Sequence, residues 1–256
     1  SFAQRAIELG VTRYLTKPTN ARELIGILEE IEKNIQKPRS EEKQEMKVLI
    51  IGHGKVGSAI AEKDKLHLFY TGNIKMDGDY DYINNGRQSS TLHVESEDGV
   101  HFGTIEVAVS WEDYPKNYTC HIRDPKVWKD GDSFAMVLGA RRKDDVGEVL
   151  VYRSDDLKAW TLANRITSQK PFGYMWECPD CFELQGTRFL SFSPQGVAAE
   201  DWKYQNIYQS GYCRLEGDLY GEYTLSAFEE YDHGFDFYAP QTYTDRQGRR
   251  ILIGWL

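Results

Sequence analysis

Cysteine is scarce in this sequence: four in 256 residues, at Cys120, Cys178, Cys181 and Cys213. That is too few for a disulfide scaffold, so reduced thiols and a cytoplasmic setting are expected. Cys178 and Cys181 form a lone C-P-D-C. A structural zinc site needs four ligands and no second pair exists, so no metal is expected. Basic charge is also in deficit. The 31 Lys and Arg against 40 Asp and Glu leave a formal charge of -9. No basic stripe is present to follow a nucleic-acid backbone. No run approaches the ~18 apolar residues of a membrane span. No signal-peptide pattern stands at the start, and the first residue is Ser rather than Met. The expected partner is a small molecule, not a nucleic acid or a membrane.

Aromatic residues, by contrast, reach 13 %, beside 22 Gly and 8 Pro. That mixture favours many short strands and turns. An acidic, aromatic surface suits a neutral, hydroxyl-rich ligand. The expected fold class is mainly β, preceded by a small α/β segment.

Residues 1–37 read as helix, short strand and helix, closed by Gly10 and Pro38. Ala6, Gly10, Tyr14-Leu15, Lys17-Pro18 and Glu23-Leu24 resemble the end of a response-regulator receiver domain. The charged stretch 38–46 reads as a linker. Residues 47–63 then look like a buried strand, a glycine turn and a helix from Ser58 to about Lys63. Gly52, Gly54 and Gly57 fit the spacing that rests a pyrophosphate on backbone N–H groups. These three glycines are the weak cofactor-binding candidates. The helix is too short for a βαβ crossover of roughly 10–12 residues, and no acidic residue follows the next strand. No cofactor is therefore expected. The stub is expected to end near Asp64, joined to a separate β unit as a chimera.

From residue 64 the texture changes to a repeat. Arg-Asp-Pro at 123–125, Glu-Cys-Pro at 177–179 and Tyr-Ala-Pro at 238–240 each open a strand. A turn and a second apolar strand follow each time. A period of roughly 50–60 residues with about four strands is a propeller pattern. Asp98-Gly99, Asp130-Gly131 and Gln247-Gly248 supply hairpin turns.

Several strings in order carry a sharp resemblance. They are Phe69-Tyr70-Thr71-Gly72-Asn73, Arg123-Asp124-Pro125, Trp176-Glu177-Cys178-Pro179-Asp180, Phe235 through Gln241, and Gly254-Trp255-Leu256. Residues 64–256 resemble the five-bladed propeller of glycoside hydrolase family 32, which includes invertases and sucrose-6-phosphate hydrolases. The resemblance implies a partial propeller, with blades 2–5 incomplete and the opening strand of blade 2 absent. It implies retaining hydrolysis of a β-fructoside such as sucrose, sucrose 6-phosphate or a fructan.

By that resemblance Glu177 is the general acid/base and Asp124 the transition-state stabiliser. A proton donor of this kind needs its pKa raised, and Trp176 and Cys178 could desolvate Glu177. Arg123 is expected to keep Asp124 ionised. Arg123, Trp176, Cys178, Asp236, Tyr238, Gln241 and Trp255 are the expected sugar-binding residues. The family's nucleophile lies in an Asn-Asp-Pro-Asn-Gly motif, and that string does not occur here. Retaining chemistry needs two carboxylates about 5–5.5 Å apart, so impaired turnover is expected. Open strand edges imply self-association. Two alternatives stay open: a non-catalytic carbohydrate-binding module, and a nucleotide-binding regulator through 47–63. Arg141, Arg142 and Lys143 could meet a phosphate, though such a run is usually a solvated turn.

Overall fold

Turn chemistry sets the strand pairing. Gln185 and Gly186 both take left-handed φ, 53° and 76°, in the two-residue loop that pairs Leu184 with Thr187. Two positive φ values make the tight hairpin turn whose twist matches its strands. Lys63 and Asp64, at 51° and 62°, do the same between Glu62 and Lys65. The computed structural model describes residues 51–52, 55–234, 237–245 and 247–255. The receiver-like and linker readings over 1–46 lie outside these residues, as does Asp236.

Every described element is a strand. The first sheet runs in the order β1 (Ile51–Gly52), β2 (Lys55–Glu62), β3 (Lys65–Lys75), β4 (Arg87–Ser96), β5 (Glu106–Val109). The second is β6 (Tyr118–Asp130), β7 (Ser133–Arg142), β8 (Gly147–Ser154), β9 (Thr161–Ile166). The third is β10 (Met175–Leu184), β11 (Thr187–Gln195), β12 (Gly211–Gly217), β13 (Tyr223–Leu225), with β14 (Glu229–Glu230) also on β12. The last pairs β15 (Tyr238–Thr244) with β16 (Arg250–Trp255). All pairings are antiparallel between chain neighbours, β14 excepted in order. This is the mainly β class expected, and the sheets are consistent with part of a five-bladed propeller.

The expected helix over 58–63 is a strand. β2 pairs with β3 from Gly57 opposite Tyr70 to Glu62 opposite Lys65. Gly52 pairs with Lys55 in an antiparallel hairpin, so the described residues hold no strand–turn–helix to seat a pyrophosphate. Gly57 is a strand residue whose absent Cβ would meet the Phe69 carbonyl at 3.0 Å. Gly54 lies outside the described residues. Ala-rich KVGSAIAE has fair helix propensity, but tertiary contact overrides propensity. Ser58 is buried and bonded to the next sheet, accepting from the Val127 N–H at 2.9 Å. The opening strand of the first sheet is therefore present, not missing, and the β unit begins before Asp64.

The second sheet is buried on both faces. Along β7, Met136, Leu138 and Ala140 pack with Phe69, Ile122 and Tyr152 toward the first sheet. Val137 on the opposite face packs with Trp176, Leu190 and Phe192 of the third. Alternation with period two splits one apolar run between two cores, which is why SFAMVLGARR shows no polar face.

Candidate active site

Three strands share one local device. In β6, β10 and β15 the register slips by one extra residue, between Arg123 and Lys126, Glu177 and Asp180, and Tyr238 and Gln241. The middle residue of each bulge takes left-handed φ: Asp124 62°, Cys178 50°, Ala239 51°. A Pro follows each one. Proline has no N–H to give a ladder, and a bulge is where that loss is tolerated. The bulge also re-aims the residue before it. Arg123, Glu177 and Tyr238 converge as a result.

Glu177 is the acceptor at the centre. Arg123 reaches its Oε1 with Nε at 3.1 Å and Nη2 at 2.5 Å. Gln195 Nε2 donates to Oε2 at 2.7 Å, and the Tyr238 hydroxyl donates to the same oxygen. The Tyr238 phenol is pushed far up by burial first and then by the neighbouring Glu177 charge, so it stays a donor. Arg123 is held from behind. His121 Nδ1 faces Arg123 Nη1 at 2.7 Å, and its Nε2 lies 3.1 Å from the Tyr82 carbonyl. Burial, then the Arg123 charge, lowers the His121 pKa to about 4. The ring is thus neutral, donating to Tyr82 and accepting from Arg123.

Asp124 is 6 % exposed. Its Oδ2 accepts the Cys178 N–H at 3.0 Å and faces the Cys178 thiol at 3.6 Å. Its own N–H donates to Thr71 Oγ1 at 3.0 Å. Arg123 Nε stands 3.9 Å away. Burial outweighs the Arg123 charge, and Glu177 adds to the rise, so the carboxyl titrates at about 6. Arg123 therefore does not set the direction, contrary to expectation, although Asp124 is still mostly ionised at pH 7.

This shift has a testable sign. The folded carboxyl binds its proton more tightly than the unfolded one, whose pKa is about 3.9. Its contribution is whole below about pH 4 and is lost as pH rises to about 6, by about 3 kcal/mol at ~1.4 kcal/mol per pKa unit. Urea unfolding of the protein and of Asp124→Asn at pH 4 and 7 checks it. The difference between the two proteins should move in that window and stay level above it.

Trp176 does not join the site. It is fully buried, stacked on Phe192 at 4.0 Å, and its indole donates to the Phe172 carbonyl at 2.7 Å. Strand alternation turns it to the face opposite Glu177, so it is core rather than sugar-binding surface. A Cβ on Gly147 would lie 2.4 Å from Trp176 Cδ1. Because the stack pins that ring, Gly147→Ala should lower unfolding free energy by about 1–3 kcal/mol in denaturant melts. Gln241 reaches back to the site, donating to the Cys178 carbonyl at 3.0 Å. Trp255 stands opposite Tyr238 in the ladder. Cys178 is buried with its thiol pKa raised, by burial first.

Several residues at the site carry no single-sequence signal for their role. Gln195 is placed by backbone pairing with Met175 and Tyr208. Thr71 lies inside the Phe69–Asn73 string and His121 just ahead of Arg123-Asp124-Pro125, but their partners are 53 and 39 residues distant in sequence. Arg141 and Arg142 are engaged within their turn by Asp145 at 2.6 Å and Asp144 at 2.5 Å. Lys143 instead borders a cavity of about 400 Å³ with Tyr80, Arg87, Trp111 and Lys116. Glu177 and Asp124 do not line that cavity. Among the described residues no helix is long and apolar enough to cross a membrane.

The Glycosyl hydrolases family 32 N-terminal domain matches residues 53–256, so the match starts ahead of Asp64 and takes in β2. The chain is 43 % identical over 208 residues to sucrose-6-phosphate hydrolase of Bacillus subtilis (strain 168), covering 78 % of this chain and 41 % of that protein. Among solved structures, a family 32 β-fructofuranosidase from Bombyx mori matches with a TM-score of 0.68 at 38 % identity, over 78 % of this chain and 42 % of that one. Sucrose-6-phosphate hydrolase from Lactobacillus gasseri matches at 0.69 and 30 % identity, over 79 % and 41 %. The chain thus spans about two fifths of the length of these relatives. With that family match and these identities, the chain belongs to family 32 of the glycosyl hydrolases.

Proposed function

We propose that this chain binds a β-fructoside and carries the acid/base and stabilising parts of a retaining hydrolytic site. Glu177 protonates the leaving oxygen and later takes a proton from water. Asp124 accepts from sugar hydroxyls whose bonds tighten as the ring flattens toward the oxocarbenium-like state. Arg123, Tyr238, Gln241, Trp255 and Asp236 contact the sugar, and the buried Cys178 positions Asp124. The observation that carries the reading is the convergence of Arg123, Gln195 and Tyr238 on one carboxylate, Glu177. A carboxyl with three donors has its orientation fixed before substrate arrives. Sucrose, sucrose 6-phosphate or a fructan fits this chemistry, and the relatives named as sucrose-6-phosphate hydrolases favour the first two.

The second reading is a carbohydrate-binding module without turnover. It is favoured by one observation: these 256 residues contain no Asn-Asp-Pro-Asn-Gly string. Fructose release and calorimetric binding, measured on the same preparation with sucrose and sucrose 6-phosphate, separate the two. Turnover that depends on Glu177 upholds the first. Binding without turnover, unchanged in Glu177→Gln, puts the second in its place. Neither binding nor release would sink both.

A further inference from the structure

We propose that His67, His93 and Glu95 form a binding site for one divalent transition-metal cation, zinc by preference, on the first sheet and apart from the hydrolytic centre. The three residues come from adjacent strands. His67 sits directly opposite Glu95 in the β3–β4 ladder, and Phe69 opposite His93. His67 and His93 are therefore diagonal neighbours on one face. Their rings stack at 5.2 Å with 10° between planes, and Phe69 backs His93 at 4.5 Å.

The donor atoms already point inward. His67 Nδ1 lies 3.0 Å from His93 Nε2 and 3.8 Å from Glu95 Oε1. One ligand atom from each residue falls within 4.8 Å of the others. Zinc bound at ~2.0–2.1 Å to imidazole in a tetrahedron separates its ligand atoms by about 3.3–3.4 Å. The His67–His93 and His67–Glu95 separations lie within about half an ångström of that spacing, and rotation of the two rings brings their lone pairs onto one point. Three protein ligands leave a fourth position for water, an arrangement suited to a borderline cation with two imidazoles and one carboxylate.

The surroundings select the needed protonation state. His67 and His93 are 7 % and 1 % exposed. Burial, the largest cause in each, lowers both pKa values and so favours the neutral imidazole. Neutral imidazole is the form that ligates. With Nδ1 of His67 turned to His93, its Nε2 is left for the backbone hydrogen bond to Glu62. That fixes the His67 lone pair on Nδ1. A 3.0 Å contact between two neutral rings needs one N–H donor, so a metal binding there displaces that proton to the outer nitrogen of the donating ring. Lys65 holds Glu95 by Oε2 at 2.7 Å and leaves Oε1 facing the rings. Lys158 Nζ stands 3.9 Å from that oxygen, on a side chain 58 % exposed that can swing away.

Nothing in the hydrolytic reading uses this cluster, so the two stand or fall separately. The test is titration of the untagged, chelator-treated full chain with zinc by calorimetry and with cobalt(II) by visible absorbance. The expected result is about one equivalent bound and a tetrahedral cobalt spectrum without a thiolate charge-transfer band. Glu95→Gln keeps the buried imidazoles and should fold. It removes a direct ligand, so it should weaken zinc binding by at least the roughly tenfold cost of disturbing even an outer partner. Absence of binding, a thiolate band, or equal affinity in Glu95→Gln would overturn the site. So would affinity unchanged in His67→Gln.

Discussion

Replacing Lys126 by Met lowers the unfolding free energy by about 3–5 kcal/mol, the usual cost of leaving a buried partner charge unpaired. Lys126, Asp180 and Thr242 come from β6, β10 and β15, the same three strands that carry the bulges. Lys126 Nζ donates to the Thr242 carbonyl at 2.6 Å and lies 3.2 Å from Asp180 Oδ2. That oxygen also accepts the Thr242 N–H and hydroxyl, at 2.6 and 2.7 Å. The Asp180 side chain is 1 % exposed, and its Oδ1 has no hydrogen-bond partner among the described groups. Removing the ammonium leaves a buried carboxylate with two neutral donors. Urea melts of the wild type, Lys126→Met and the double variant with Asp180→Asn measure this. The double variant should recover much of the loss, because the amide buries no charge. If Lys126→Met melts with the wild type, the triad does not join these strands energetically.

On the proposed hydrolytic reading, Glu177→Gln should reduce fructose release from sucrose by about 10²–10⁴, the range a positioned general acid/base supplies. Gln keeps the size of the side chain and its bonds to Arg123 and Tyr238 in part, but it has no proton to give. The loss should shrink with an aryl fructoside, whose leaving group departs without protonation. Binding should hold within a few-fold. Equal turnover by wild type and Glu177→Gln on sucrose would remove Glu177 from the chemistry. On the same reading, activity should also fall as Asp124 takes up its proton, with a limb near pH 6.

The sequence by itself determined a good deal. The strings Arg-Asp-Pro, Glu-Cys-Pro and Tyr-Ala-Pro recur at blade spacing because each sits at the same kind of bulge, where the missing proline N–H is tolerated. Turn pairs such as Asp130-Gly131 were legible because only a few residue types accept left-handed φ. The roles of Glu177 and Asp124 came from resemblance to family 32, not from periodicity. Tertiary structure alone decided the rest. KVGSAIAE carries no strand pattern of its own. It is a strand because Ser58 meets Val127 across two sheets and a Lys63-Asp64 turn returns it onto β3. Trp176 reads as an aromatic platform beside the acid, but one step along a strand reverses the face, so it fills a core. Gln195, His121 and Thr71 reach the site, and His67 meets His93, only through pairings between residues far apart in the chain. Such contacts depend on register and burial, which no local window of sequence contains.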